Sequence, residues 1–286
     1  MSVYKRGYQR YSGPLTGPWT RFLVLPRYAW RRLYQQRLVL LLTIVAFVWP
    51  LLCTGFIYLT NHVELLQGLD REFLEFIQVD GRFFSVFMYV QAGFAVLLSA
   101  LAGPSLIAPD LANNALPLYF SRPLTRWTYA LARLTVLMGM LSIVTWIPGL
   151  ILFGLQVGLA GSVWLRVNWT LGAGMVFGFL IWLLVLSLVA MASSAYVKWK
   201  VVAAAVSLAF FFILGGIAEM IDNVLRVTWG HIIDPAWTVN RVWCALLGVE
   251  APRGPGAAAS AWALAVMVVL LVVVIERKLR PVEVVS

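Results

Sequence analysis

Leu38 to Thr60 is an apolar stretch without a single charged residue, and Phe84 to Ile107, Trp169 to Tyr196 and Ala257 to Ile275 repeat the pattern. Roughly 20 apolar residues in a helix cover the hydrocarbon core of a bilayer, so each stretch is a predicted membrane span. Two more, Trp127 to Gln156 and Val201 to Met220, match them in length and character and bring the expected number to six. Within lipid every backbone N–H and C=O has to be satisfied by the protein, which leaves helices or a closed barrel. The polar and apolar alternation of a barrel strand is missing. The expected fold class is therefore an all-α membrane protein with six transmembrane helices. Composition points the same way: a chain of 286 residues that is 62% hydrophobic and 12% charged cannot coat a soluble domain with polar surface.

Lysine and arginine concentrate on the cytoplasmic flanks of membrane spans. Placing the N-terminus inside collects 16 of the 22 basic residues on the inner segments, against only Asp110, Glu276 and Glu283 of the 12 acids. The inner segments then sum to +13 and the outer ones to −3, so both termini are expected in the cytoplasm. This positive charge serves topology and attraction to anionic headgroups; nucleic acid would need a soluble basic face, which the chain lacks. Three regions follow: a basic N-terminus with an interfacial helix over 1–37, a six-span domain over 38–275, and a cytoplasmic tail over 276–286. The expected setting is a bacterial inner membrane. The first 37 residues are too polar and too punctuated by Pro and Gly for the core of a cleavable signal, so the first span is expected to direct insertion.

Just before that span, Trp19, Phe22, Tyr28 and Trp30 are mixed with Arg21, Arg27, Arg31 and Arg32. Such a segment lies in the headgroup plane, rings inward and guanidinium groups outward. Proline suits the first turn of a helix and disrupts an interior, so the helical part is predicted from Pro26 to about Gln36. On the outer side, Asn61 to Phe83 carries five acids and reads as a solvated connector. Glu219 to Gly256 is long for a loop yet rich in apolar residues, and it holds Glu219, Trp229, His231, Asp234, Trp237 and Trp243. A half-apolar external segment is expected to lie in the interface or dip back into the bilayer, where it meets lipid or cargo.

Catalytic signatures are missing. No phosphate-cradling GxxxxGK[ST], no HExxH and no GxSxG occurs, so any ATP hydrolysis belongs to a partner and no residue here is expected to be catalytic. Two histidines, His62 and His231, and two cysteines, Cys53 and Cys244, are too few and too scattered for a metal cage. The cysteines are read as free thiols, with a disulfide as the alternative. None of the six spans carries an ionisable residue in its middle, and Arg133, a turn or so into the third, is read as snorkelling to the cytoplasm. Ion-coupled transporters keep intramembrane ionisable groups as relays, so a secondary transporter is the weaker reading. The small-residue pairs Ser99 with Gly103, Gly154 with Gly158 and Gly174 with Gly178 are read as close helix packing within the chain.

The segment Leu106 to Leu134, LIAPDLANNALPLYFSRPLTRWTYALARL, stands between the second and third predicted spans. Asp110 follows Pro109 and is expected in the first turn of a short helix, favoured there by exposed amides. Leu111, Leu116, Leu118, Tyr119 and Phe120 form an apolar knob too short to cross, which needs a partner or the membrane surface. Pro123 pushes Arg122 toward an extended conformation, and Arg126 leads into the next span. With its acid, its Arg122-Pro123 pair and its second arginine, this loop resembles the cytoplasmic signature loop of ABC-2 type exporter permeases.

That resemblance covers the six-span layout of nearly the whole chain, and its specific part is this loop. It implies a permease subunit of an ATP-driven exporter that dimerises with a second copy or a related subunit, within membrane lipid. It implies docking of a separate ATPase subunit, which would bind ATP and Mg, through Asp110, Leu116, Arg122, Pro123 and Arg126. Trp19, Arg27, Trp30, Arg31 and Arg32 would then belong to an elbow helix beside the ATPase. Glu219, Trp229, Asp234, Trp237 and Trp243 would belong to a re-entrant element before the last span. An ATP-independent membrane scaffold and a lipid-modifying membrane enzyme remain the alternatives, alongside the secondary transporter.

Overall fold

A computed structural model of the chain describes residues 18–62, 78–113 and 126–279. Among them the regular elements are all helical: α1 Pro18–Tyr34, α2 Arg37–Ala46, α3 Val48–Asn61, α4 Gly81–Ala102, α5 Pro104–Ala112, α6 Arg126–Val144, α7 Trp146–Tyr196, α8 Lys200–Leu225, α9 Pro235–Leu247 and α10 Ala257–Leu279, with a 3₁₀ turn at Gly230–Ile233. Five stretches are long and apolar enough to cross a membrane: Arg37–Asn61, Gly81–Asp110, Trp127–Tyr196, Lys200–Leu225 and Ala257–Lys278. They suit the integral membrane protein that the composition demands.

The Trp127–Tyr196 stretch holds 70 residues, which as one straight helix would reach about 105 Å, over three bilayer cores. It does not run straight. Gly161 lies outside helical geometry at φ 86°, ψ 177°, in the left-handed half of backbone space that glycine alone enters freely. Beyond it the chain returns along itself, so that the rings of Phe153 and Trp164 stand 5.4 Å apart and a methyl group at Gly149 would strike the sulfur of Met175.

Two breaks elsewhere share one cause and one remedy. Proline has no N–H, so it leaves the carbonyl four residues earlier without its helical donor. Pro50 does this to Ala46, where α2 gives way to α3, and Pro148 does it to Val144, where α6 gives way to α7. Both carbonyls are taken by one side chain. The amide nitrogen of Gln91, fully buried on α4, donates to Ala46 O at 3.2 Å and to Val144 O at 2.7 Å. Its two hydrogens thus tie three helical columns together, while its Oε1 accepts nothing. At the second break Thr145 Oγ1 takes the Leu141 carbonyl at 2.8 Å.

The returning half of α7 is the centre of the bundle, buried on almost every side from Trp182 to Ala195, as an all-apolar helix must be. Phe87, Phe179, Trp182 and Trp243 pack edge to face around it. Helix α9 lies against its start because Gly174 and Gly178 leave room for the Leu246 carbonyl and the Trp243 ring, and Trp243 Nε1 donates to Gly178 O at 2.8 Å. Gly103 likewise seats Ala190, whereas Gly154 and Gly158 meet nothing.

The bundle has two poles. At one, Gln36 meets Ser105, Ala108 meets Ser194 and Lys278 lies over Tyr196. At the other, Asn61 Nδ2 donates to Gln156 Oε1 at 2.8 Å and Gly81 closes on the Leu247 carbonyl. Arg37, Lys198, Lys200, Arg277 and Lys278 all belong to the first pole.

Two expectations need correction. Helix α1 starts at Pro18, which takes the first-turn position, and Pro26 lies inside it. Helix α8 continues to Leu225, so Glu219 sits on a helix and the connecting segment begins later than the hydropathy fall implied.

Candidate functional site

The first pole carries a buried charge cluster at the base of the segment 114–125. Asp110 lies near the C-terminus of α5, a position where the helix dipole disfavours an acid. Compensation comes from α6. Arg133 Nη2 donates to Asp110 Oδ2 at 2.5 Å and the Tyr129 hydroxyl donates to the same oxygen at 2.7 Å. Tyr129 and Arg133 are four residues apart and share a helix face, which lets the guanidinium also lie 5.1 Å from the Tyr129 ring centre. The two charged side chains are only 11% and 12% exposed. Losing one partner of a pair this buried strands the other, a cost of about 3–5 kcal/mol.

Helix α5 is held from behind as well. Ser194 of α7 accepts the Ala108 N–H at 2.9 Å and points its hydroxyl at Pro104 O, 3.5 Å away, so it stands inside a helical turn as a splint. Both flanks of the segment are therefore anchored to the centre of the bundle.

The structure revises the reading of this region. Helix α5 begins at Pro104 and contains Pro109, so Asp110 closes a helix and does not open one. Arg133 does not snorkel; it pairs with Asp110. Sequence reasoning missed Tyr129, whose only signal was its i, i+4 relation to Arg133. Leu116, Arg122 and Pro123 lie outside the described residues. Arg126 opens α6, and its side chain is likewise outside them.

Helix α1 docks beside the same pole. Ala29 and Leu33 are buried while Arg27, Tyr28, Arg31 and Arg32 are exposed, the amphipathic split expected of an interfacial helix. Trp30 reaches over Gly139 to donate from Nε1 to Val136 O at 2.7 Å, so it pegs α1 to α6. Trp19 falls in α1, with its side chain outside the described set.

At the other pole the segment after α8 is a built structure. Asp222 Oδ1 accepts the Gly230 N–H at 2.6 Å, and His231 Nε2 stands 3.8 Å from Asp222 Oδ2. The His231 ring packs 5.2 Å from that of Trp237. Asp234 caps α9 through the Ala236 N–H, and Arg241 holds the Pro252 and Pro255 carbonyls. Trp229 and Glu219 are exposed. Trp243 is fully inside the core, so it serves packing and not contact with lipid or cargo. Cys53 and Cys244 are both free and buried; burial pushes the Cys244 thiol up, away from the reactive thiolate.

Among the described residues no group of three His, Cys, Asp or Glu side chains could hold a metal ion. The chain matches no family model and no curated protein.

Proposed function

We propose that this chain is the membrane-spanning permease subunit of an ATP-driven exporter, resembling the ABC-2 type, and that a separate ATPase binding ATP and Mg drives it. In this reading the fold-back at Gly161 makes two crossings of the Trp127–Tyr196 stretch, for six in all. The first pole faces the cytoplasm, where its lysines and arginines satisfy the positive-inside bias, and the turn and α9 at the opposite pole form a re-entrant element. The observation that carries the proposal is the buried Asp110–Arg133–Tyr129 cluster. It joins the flanks of segment 114–125 rigidly to the bundle, as a lever needs if force on a cytoplasmic loop is to move spans between two packed arrangements.

Two measurements test it. Single cysteines at Ser2, Ser121 and Ser286 should react only from the cytoplasmic side and one at Asp70 only from outside; labelling of Ser121 and Asp70 from one side would end the six-span reading. Purification of the complex should recover an ATP-binding subunit with this chain, and Arg122→Glu or Leu116→Asp should lose that subunit or uncouple hydrolysis from transport while the spans still insert. A scaffold predicts no ATP-binding partner for the unmodified protein and indifference to both substitutions.

A further inference from the structure

On α3, Trp49, Leu52, Cys53 and Phe56 follow the i, i+3, i+4, i+7 spacing of one helical face. Among the described residues that face is only partly covered by protein: Leu52 is exposed, Trp49 and Phe56 are half-buried and Cys53 is buried. With Phe83 and Val86 of α4 it lines a cleft of about 510 Å³, within the range of small-molecule sites. Phe56 and Phe83 stack at 5.3 Å to make one wall. From Phe56 to Trp49 the lining descends about 10 Å along the helix, most of the depth of one leaflet's half of a ~30 Å hydrocarbon core.

The mouth is chemically different. Gln78, Asp80 and Arg82 line it. Asp80 Oδ1 accepts the N–H groups of Arg82 and Phe83 and so caps α4, while Arg82 has no carboxylate partner among the described residues. One acid and one base, two residues apart, stand over an apolar slot at the level where α3 ends and α4 begins.

We propose that this cleft binds one phospholipid with a primary-amine zwitterionic headgroup, its acyl chain along Trp49, Leu52, Cys53 and Phe56. The pairing follows from charge and hydrogen bonding. Arg82 forms a charge-assisted contact with the phosphate, and the Asp80 carboxylate accepts from the ammonium. A quaternary ammonium has no N–H to give, and an anionic glycerol headgroup has no cation for Asp80. The site depends on the membrane placement of the chain and is independent of the exporter reading.

Native mass spectrometry of the full chain in mild detergent, with phosphatidylethanolamine, phosphatidylcholine or phosphatidylglycerol added at matched concentration, tests this. One phosphatidylethanolamine per chain should survive conditions that strip the other two lipids. Val86→Trp, which fills the slot, and Arg82→Ala should each weaken retention roughly tenfold or more. Asp80→Asn keeps a capping side chain, so the protein should fold normally yet lose its preference for phosphatidylethanolamine over phosphatidylcholine. Phe212→Trp, on an exposed face of α8, should change nothing. Equal retention of all three lipids, or retention untouched by Val86→Trp and Asp80→Asn, overturns the proposal. So does a Val86→Trp variant that converts dimer to monomer with its lipid adducts intact, since a second copy would then be the occupant.

Discussion

Replacing Gln91 with leucine should cost stability in an amount that depends on two distant prolines. The substitution preserves approximate volume and strips the donors from Ala46 O and Val144 O, both left buried. An unsatisfied buried polar group costs about 1–3 kcal/mol. Hydrogen bonds inside membrane proteins average nearer 0.6 kcal/mol, with a maximum of about 1.7. Gln91 Oε1 already lacks a partner, and its removal returns part of the loss. A net destabilisation of about 1–3 kcal/mol is expected. Alanine at residue 50 or 148 restores the N–H that the corresponding carbonyl lacks. In a Pro50→Ala background the cost of Gln91→Leu should therefore fall by about half, and with Pro148→Ala added it should approach zero, a coupling that a mutant cycle isolates. Reversible unfolding in mixed micelles, followed by tryptophan fluorescence and circular dichroism, gives each term. An identical cost for Gln91→Leu in all four proline backgrounds would refute the argument that Gln91 substitutes for the missing N–H groups.

Asp110→Asn and Arg133→Met should each destabilise by about 3–5 kcal/mol, and the double variant should recover part of that because no buried charge is then stranded; thermal melting in detergent reads all three. Trp30→Phe removes the bond to Val136 O at a cost of about 1 kcal/mol, and hydrogen exchange should rise in α1 alone. Gly174→Ala presses on the Leu246 carbonyl and should cost about 1–3 kcal/mol by overpacking, whereas Gly158→Ala meets nothing and should be neutral or slightly stabilising through better helix propensity. The apparent melting temperatures of this pair should separate in that order.

The spans were legible along the chain because a bilayer imposes a one-dimensional requirement, a run of apolar residues long enough to cross with its backbone bonded internally. Leu38 to Thr60 and Ala257 to Ile275 needed no partner to be recognised, and the predicted ends match α2–α3 and α10 within a few residues. The amphipathic split of α1 was visible for the same reason, since arginine and tryptophan declare an interface locally. What faces what was silent. Lipid tails and a protein interior are equally apolar, so a buried Trp243 and an exposed Trp229 look alike in sequence, and the filled face of Gly178 looks like the open one of Gly158. Pro50 and Pro148 fell inside stretches read as unbroken spans, and that one glutamine on a third helix answers both breaks depends on three columns meeting at one point. Asp110 and Arg133 were each noticed alone; their pairing came from the return of α6 alongside α5, because opposite charges inside an apolar bundle have few other ways to be satisfied.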